Sequence, residues 1–133
     1  MRVVLDSNVI IAAFATHGLC HLLMETCLEN HRVLLSEFIL EEVKDKLRNK
    51  IKLPENRIDD ICLFLREGAD LRDPGLVVRT ASPDPDDDSI MNLADKGQAD
   101  YVVTGDKALL ELGFHGKSQI VSPREFADIL RSD

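Results

Sequence analysis

The stretch Tyr101-Val102-Val103-Thr104-Gly105-Asp106 is the clearest indication of fold class in this chain. A short apolar run that leads through a tight Thr-Gly turn to a carboxylate is typical of a buried parallel strand that ends at the edge of a sheet. The N-terminus has the same arrangement, because the apolar run from Val3 to Leu5 ends on Asp6. Similar apolar runs occur at 33–35 and 120–121. We therefore predict strands that start near Val3, Val33, Tyr101 and Gln119.

Helical patterns occupy the segments between these strands. Their signals are apolar residues at helical spacing, capping residues such as Ser36, and a proline or glycine near one end. The segments are 19–28, 36–50, 54–68, 84–97, 107–113 and from 122 onward. Residues 71–79 are ambiguous and have room for a short strand. Strands that alternate with helices predict an α/β fold, with a central parallel sheet of four or five strands and helices on both faces.

Composition narrows the class of protein further. The 133 residues, of which 44% are hydrophobic, fit a single domain that spans 1–133. No apolar run approaches the roughly 20 residues needed to cross a bilayer, and the N-terminus is charged too soon for a signal peptide. Three cysteines without a Cys-x-x-Cys pair predict reduced core thiols. We therefore expect a cytoplasmic protein without a membrane segment. Its net charge of −8 works against a non-specific grip on nucleic acid, which depends on basic surface.

Two aspartates are brought to one edge of the predicted sheet by topology. Asp6 follows the first strand directly, and Asp106 follows the Tyr101 strand. Right-handed crossovers bring the carboxyl ends of parallel strands to the same edge, which is where ligand sites lie in such sheets. An aspartate after a strand is also a common turn residue, so neither position would carry weight alone.

A third carboxylate is predicted from the helix that begins at Ser36. At about 100° per residue, Glu42 lies on the border of the apolar stripe of this helix, whereas Glu41 points away from the stripe. A border residue near the helix start can reach a cleft at the strand ends. Glu42 could instead pair with Lys46 on a solvated face, because the two residues are spaced i and i+4.

The acidic run Asp84-Pro85-Asp86-Asp87-Asp88 supplies a fourth carboxylate. On the helical wheel Asp87 lies on the apolar side, and Asp86 is next in line. Asp84 is predicted as the helix N-cap and Asp88 as an outward residue, since acids at a helix start commonly satisfy free N–H groups. We expect four acids to meet in one cleft and three others to stay outside it. The four are Asp6, Glu42, Asp87 and Asp106; the three are Glu41, Asp84 and Asp88.

Convergence of four carboxylates predicts a metal site. Close carboxylates repel one another, and a bound cation removes this cost. Ligands that are all oxygen suit Mg²⁺ or Mn²⁺. Zinc fits less well, because His17 and His21 are spaced i and i+4 but no further ligand is evident near them.

The segments around these acids resemble the PIN-domain family, and within it the VapC-like group described as toxin components of toxin–antitoxin systems. The resemblance runs in order from residue 2 to about residue 130, with Ser7 in place of the usual threonine. The matching blocks are Leu5-Asp6-Ser7-Asn8-Val9, Ser36-Glu37-Phe38-Ile39-Leu40-Glu41-Glu42-Val43, Asp84-Pro85-Asp86-Asp87-Asp88, Ala99-Asp100-Tyr101-Val102-Val103-Thr104-Gly105-Asp106 and Val121-Ser122-Pro123-Arg124-Glu125-Phe126.

The resemblance implies a PIN-like three-layer domain with endoribonuclease activity. Such an enzyme would use Mg²⁺ or Mn²⁺ to hydrolyse RNA, with Asp6, Glu42, Asp87 and Asp106 as catalytic and metal-binding residues. A homodimer and a possible cognate antitoxin are implied as well. Around the four acids we expect supporting roles for Asn8, Thr104 and Asp86. Asn8 would orient Asp6 by hydrogen bonding, or serve as a helix N-cap, and the two roles are compatible. Thr104 would brace the cluster.

A basic run follows Glu42 along the chain, from Lys44 to Lys52. We expect Lys46, Arg48 and Lys50 to contact RNA phosphates beside the metal site. Cations near the C-terminus of a helix also complement its dipole, and this alternative stays open.

Two other classes of function share part of this sequence pattern. A phospho-acceptor signalling module also places aspartates at strand ends, but it needs a lysine after a late strand, and the only candidate is Lys107. A catalytically silent PIN-like binding module is opposed by the complete set of four acids.

Overall fold

The structure, a computed structural model, describes residues 1–75, 77–80 and 84–132. Within these residues a single sheet has six strands, in the order β3-β2-β1-β4-β6-β5. All neighbouring strands are parallel except β5 and β6, which are antiparallel. The strands are β1 (Arg2–Leu5), β2 (Arg32–Leu35), β3 (Asp70–Leu71), β4 (Tyr101–Val103), β5 (Phe114–His115) and β6 (Ser118–Val121).

Helices fill the connections between the strands. The described helices are α1 (Ser7–Ala15), α2 (Leu19–Asn30), α3 (Glu37–Asn49), α4 (Glu55–Gly68), α5 (Asp86–Gly97), α6 (Lys107–Leu112) and α7 (Pro123–Ser132). Two helix starts follow the predicted capping chemistry. The Ser36 hydroxyl accepts a hydrogen bond from the backbone N–H of Ile39, and Ser122 and Glu125 form a reciprocal capping box before α7.

The core lies on both faces of the sheet. Strand β1 is central, with β2 on one side and β4 on the other. Its consecutive residues Val3, Val4 and Leu5 are all buried. Because successive side chains of a strand point to opposite faces, helices must cover both sides of the sheet at β1.

The predicted α/β class and the four longer strands are confirmed. The predicted strand number of four or five is too small, because β3 and β5 have only two residues each and so carry no periodic pattern. Helix α1 was anticipated only through the alternative that Asn8 is a helix N-cap, and this is wrong because the N-cap is Asp6. Its sequence is apolar on nearly every side, so it shows none of the amphipathic spacing that marks a helix at a surface.

A helix that spans a membrane has to be both long and apolar. Among the described residues, no single helix is long and apolar enough to cross a membrane. Helices α1 and α2 meet the criterion only as a pair that is bent by 109°.

Candidate active site

An acidic cleft of about 140 Å³ lies at the carboxyl edge of the parallel strands. Five carboxylates line it, and they come from four separate parts of the chain: the ends of β1 and β4, helix α3, and the start of α5. The lining residues are Asp6, Ser7, Asn8, Glu42, Lys46, Asp84, Asp87, Ile90 and Asp106. The four acids expected to meet therefore share one cleft.

Asp6 is fixed at the end of β1 by backbone and side-chain hydrogen bonds. Its backbone N–H donates to the carbonyl of Val103 at 3.0 Å, which extends the pairing of β1 with β4 by one residue. The buried hydroxyl of Thr104 donates to Asp6 Oδ2 at 2.7 Å. The same hydroxyl oxygen accepts a hydrogen bond from the backbone N–H of Asp106 at 3.0 Å. Thr104 thus links the two strand-end aspartates, as expected from the sequence.

Asp106 combines a structural contact with a position in the cleft. It is the N-cap of α6, and its Oδ1 accepts hydrogen bonds from the backbone N–H groups of Ala108 and Leu109, at 2.8 and 3.3 Å. Because both capping bonds use Oδ1, the other carboxylate oxygen has no hydrogen bond to the described residues and is available to a ligand.

Ser7 connects Asp6 with Glu42. Its hydroxyl lies 3.5 Å from Asp6 Oδ1 and 3.3 Å from Glu42 Oε2. One hydroxyl has one proton, so it donates to only one of the two carboxylates at a time. This role was not predicted, although a hydroxyl residue directly after the strand-end aspartate was a signal for it.

The two adjacent glutamates of α3 separate as the helical wheel predicts. Glu42 is half-buried and lines the cleft. Glu41 is exposed and lines a different cavity, together with Lys44 and Arg66. The buried stripe that sets this orientation comprises Ile39, Leu40, Val43 and Leu47.

The acidic run before α5 is arranged differently from the prediction. Asp87 is buried and lines the cleft, as expected. Asp84 also lines the cleft, so its predicted exclusion is wrong. The predicted N-cap role of Asp84 is wrong as well, because Pro85 is the N-cap and Asp84 precedes the helix. The side chain of Asp86 lies outside the described part of the structure.

Asp88 stays out of the cleft, but it is not the outward residue that the wheel predicts. It is only 3% exposed, because the segment Val78–Thr80 passes over it. Asp88 Oδ1 accepts hydrogen bonds from the hydroxyl and the backbone N–H of Thr80, at 2.6 and 3.0 Å, and Oδ2 pairs with Arg79 at 2.7 Å. These contacts, the Thr80 hydroxyl first, hold the pKa of Asp88 below its usual value.

The basic residues of α3 point in different directions. Lys46 lines the cleft, and its ammonium donates a hydrogen bond to Asn8 Oδ1 at 3.0 Å. Arg48 points elsewhere and forms a bidentate pair with Glu55 of α4, while Lys50 is exposed at the helix end. Asn8 therefore contacts Lys46, and the expectation that it hydrogen-bonds to Asp6 is wrong.

The donor chemistry of the cleft fits a hard cation. Carboxylate and hydroxyl oxygens line it, and these are ligands that Mg²⁺ and Mn²⁺ prefer. As the described side chains stand, no group of three or more His, Cys, Asp or Glu is placed to hold an ion. Mg²⁺ commonly binds through one or two carboxylates and keeps several waters. A pair such as Asp6 and Asp106 would therefore suffice, and metal binding remains a prediction.

The fold and cleft together define an α/β domain with an acidic site at the carboxyl edge of its parallel strands. A family model described as PIN domain matches residues 2–108. This chain therefore belongs to the PIN-domain family.

A solved structure shares the fold. This structure is described as VapBC2 from Rickettsia felis bound to a DNA fragment from its promoter. The TM-score is 0.64 at 15% sequence identity, and the alignment covers 92% of this chain and 98% of that chain. Comparison with curated proteins gives no significant match.

Proposed function

We propose that this chain is an endoribonuclease that depends on Mg²⁺ or Mn²⁺ and belongs to the toxin type of PIN-domain protein. The observation that carries the proposal is the cleft itself, which five carboxylates from four parts of the chain line together. A cluster of this kind is costly for folding unless it serves to bind a cation. Membership of the PIN-domain family supports the same interpretation.

Asp6, Glu42, Asp87 and Asp106 would hold the cation, and Asp84 is a fifth candidate because it lines the same cleft. A divalent cation bound there would polarise the scissile phosphate and activate water. Thr104 and Ser7 keep the Asp6 carboxylate in place through the hydrogen bonds described above. A carboxylate that is not used as a ligand would accept the proton of the attacking water, and cleavage would leave 5′-phosphate and 3′-hydroxyl ends.

Lys46 is the residue best placed to contact an RNA phosphate. Its ammonium uses one donor on Asn8 and makes no ion pair with a described carboxylate, so donors remain for a phosphate oxygen. Arg48 is already paired with Glu55, and we expect it to contribute less to RNA binding than the sequence alone suggests. Lys50 lies one turn beyond Lys46 on the same face of α3 and would extend the contact.

A cognate antitoxin and a second copy of the chain are the proposed protein partners. The fold likeness to VapBC2, whose structure is described as bound to promoter DNA, supports a toxin–antitoxin setting. Cytoplasmic location belongs to the same proposal, because RNA and such a partner would be met there.

The experiment is cleavage of a mixed RNA pool by the purified protein with EDTA, Mg²⁺ or Mn²⁺. Glu42→Gln should lower the cleavage rate by about 100-fold or more, since it removes one carboxylate of the cleft. Glu41→Gln is the matched control, because it makes the same change one residue away and outside the cleft. A wild-type protein that cleaves no RNA with either metal would defeat the proposal, as would equal rates for the two variants. Absence of cleavage by the wild-type protein would instead favour a catalytically silent binding module.

A further inference from the structure

Two adjoining cavities lie at the amino ends of the parallel strands, on the edge of the sheet opposite the acidic cleft. Their volumes are about 640 and 430 Å³, and His31 and Arg32 line both, so they form one continuous surface. Among the described residues, four cations and two carboxylates line it: Arg2, Arg32, Arg72, Lys117, Asp70 and Asp100. We call this surface the basic edge, because its side chains carry more positive than negative charge in a chain whose net charge is −8.

Three of these cations form a row across the sheet. Arg2 and Arg32 are register partners at the first residues of β1 and β2. Lys117 lies in the turn before β6, which is two strands from β1 on the other side. Neighbouring strands are about 4.8 Å apart, so the row is roughly 14 Å long. A nucleic-acid strand has one phosphate for about every 3.4 Å of helix axis, so the row has the length of about four phosphates. This length suits a chain of repeated anions rather than one small anion.

Arg32 and Lys117 are only weakly engaged within the protein. Arg32 lies 3.7 Å from Asp70, a carboxylate that it shares with Arg72 at 3.1 Å. Lys117 lies 3.5 Å from Asp100. The side chains of Arg32 and Lys117 are 56% and 52% exposed. Exposed ion pairs of this kind contribute little to stability, so a phosphate can replace or join them.

Arg2 adds a guanidinium that forms no ion pair with a described carboxylate. Its Nη1 donates to the Gly97 carbonyl at 3.5 Å, while its backbone N–H donates to Asp100 at 2.8 Å. The backbone bond holds the Asp100 carboxylate between Arg2 and Lys117. A guanidinium has a planar fork of N–H donors that matches phosphate oxygens, so donors of Arg2 remain for a phosphate.

A nuclease with this net charge needs a local basic surface to hold its substrate. At the cleft, the described residues supply five carboxylates and one cation, Lys46, so the cleft itself repels phosphates until a metal ion binds. Strand β1 runs from Arg2 at the basic edge to Leu5 beside the cleft. At about 3.3 Å per residue, the two surfaces are roughly 13 Å apart. An RNA that touches both must extend at least about four nucleotides beyond the phosphate in the cleft.

We infer that the basic edge binds the phosphate backbone of the RNA substrate at a distance from the phosphate that is cleaved; the inference rests on the function proposed above. Arg2, Arg32 and Lys117 would contact successive phosphates. Contacts to phosphates position a nucleic acid without reading its sequence, so the basic edge would add affinity but not sequence preference. A nucleic acid is favoured over an acidic protein segment, because the proposed reaction at the other edge of the sheet already requires a polyanion.

RNA binding in EDTA is the direct test, because without a divalent cation the cleft neither cleaves RNA nor attracts its phosphates. The affinity of wild type, Arg32→Gln, Lys117→Gln and the double variant is measured by anisotropy over a salt series, with a fluorescent RNA of about 20 nucleotides. Each substitution should lower the steepness of log affinity against log salt by about 0.7, which is about 5-fold weaker binding at about 0.1 M salt if the contact gains nothing at 1 M. The double variant should bind about 25-fold more weakly.

Two controls accompany this series. Arg32→Lys keeps the charge and should keep most of the affinity and of the salt dependence. Arg57→Gln removes one charge from an exposed arginine of α4 that lines neither cavity, so it should leave both unchanged. Melting temperature checks that each variant is folded.

Cleavage with Mg²⁺ shows whether the basic edge serves the proposed reaction. For wild type, an RNA of about 20 nucleotides should have a lower KM than one of about four nucleotides, which is too short to reach both surfaces. In the double variant this difference in KM should shrink by about 25-fold.

The outcomes separate this inference from the proposed function. If wild type cleaves RNA but Arg32→Gln and Lys117→Gln have the salt dependence of Arg57→Gln, the basic edge is wrong and the nuclease stands. If RNA binding depends on Arg32 and Lys117 but wild type cleaves no RNA with either metal, the proposed function fails and the phosphate contact stands. Displacement of the RNA by poly-glutamate at equal charge concentration would assign the surface to an acidic protein partner and overturn the inference.

Discussion

Thr104 holds two of the cleft aspartates with a single hydroxyl group. It is fully buried, donates to Asp6 at 2.7 Å, and accepts from the backbone N–H of Asp106 at 3.0 Å. A valine of the same shape would fill the space but could make neither bond. Two polar groups of the cleft would then lose a partner that solvent does not easily replace.

We expect Thr104→Val to lower the free energy of unfolding by about 1–3 kcal/mol, the usual cost of leaving buried polar groups without partners. The cleavage rate should fall as well, because Asp6 is no longer fixed relative to Asp106. Urea denaturation and RNA cleavage measure the two effects. Thr26→Val is the control, since Thr26 is only half-buried on α2 and its hydroxyl bonds to the Leu22 carbonyl of its own helix. Equal effects of the two substitutions would contradict the role of Thr104.

At the level of elements, side chains of helix α5 hold the irregular segment 78–80 against the helix. The amide of Asn92 pairs with the backbone of Val78 in both directions, donating to its carbonyl at 2.9 Å and accepting from its N–H at 3.1 Å. One turn earlier, Asp88 accepts hydrogen bonds from Thr80 and pairs with Arg79. Two side chains of one helix thus fix the backbone at Val78 and Thr80.

The lowered pKa of Asp88 makes this attachment sensitive to acid. A depressed carboxyl pKa adds stability above the unfolded value of about 3.9, and the contribution is lost as the pH falls through the folded value. Asp88→Asn should therefore be less stable than wild type at neutral pH, and the difference should shrink as the pH falls below about 4. Urea denaturation at a series of pH values measures it, with Asp60→Asn on the exposed face of α4 as the control for loss of one charge. A difference that stays constant with pH would be contrary to this account.

The same elements show how far helical spacing predicts a site. The helical wheel correctly predicted Glu42 inside the cleft and Glu41 outside it, because the buried stripe of α3 fixes which way each residue points. The wheel failed for Asp88, since an irregular segment covers a face that periodicity assigns to solvent. It also failed for Asp84, which precedes the helix and so follows no helical period.

For the whole molecule, the alternation of apolar runs with helical patterns was enough to predict the fold class and the edge at which the acids meet. Strands β1, β2 and β4 have buried residues at consecutive positions and so appear as continuous apolar runs. The two short edge strands depend on tertiary contacts rather than on local sequence. Strand β3 pairs with β2, and the chain turns back at Gly113 and Gly116, both with positive φ, to form β5 and β6.

Metal binding should be visible as a change in global stability. A cation that binds only the folded state adds RT ln(1 + [L]/Kd), about 2.7 kcal/mol at a hundredfold excess over Kd. The wild-type melting temperature should therefore rise with Mg²⁺ or Mn²⁺ relative to EDTA. In Asp6→Asn the rise should be smaller, while stability in EDTA should change little or increase, because repulsion among the carboxylates is reduced.

Melting curves of wild type, Asp6→Asn and the control Asp60→Asn with EDTA, Mg²⁺ and Mn²⁺ test this linkage. Structural carboxylates would behave in the opposite way: Asp6→Asn would lose stability in EDTA, and metal would have no effect on any of the three proteins. That pattern would rule out a cation site in the cleft.

The pairing of β1 with β4 has a consequence for synthesis of the protein. These strands are neighbours in the sheet, yet 95 residues lie between Leu5 and Tyr101 in the chain. The cleft cannot close until the ribosome has released the segment that carries Thr104 and Asp106, since domains fold as units once their strands are available. Under the proposed function, a nascent chain would therefore be harmless to the messenger RNA being translated until that segment has emerged from the ribosome. Activity would begin only when the last parallel strands have joined the sheet.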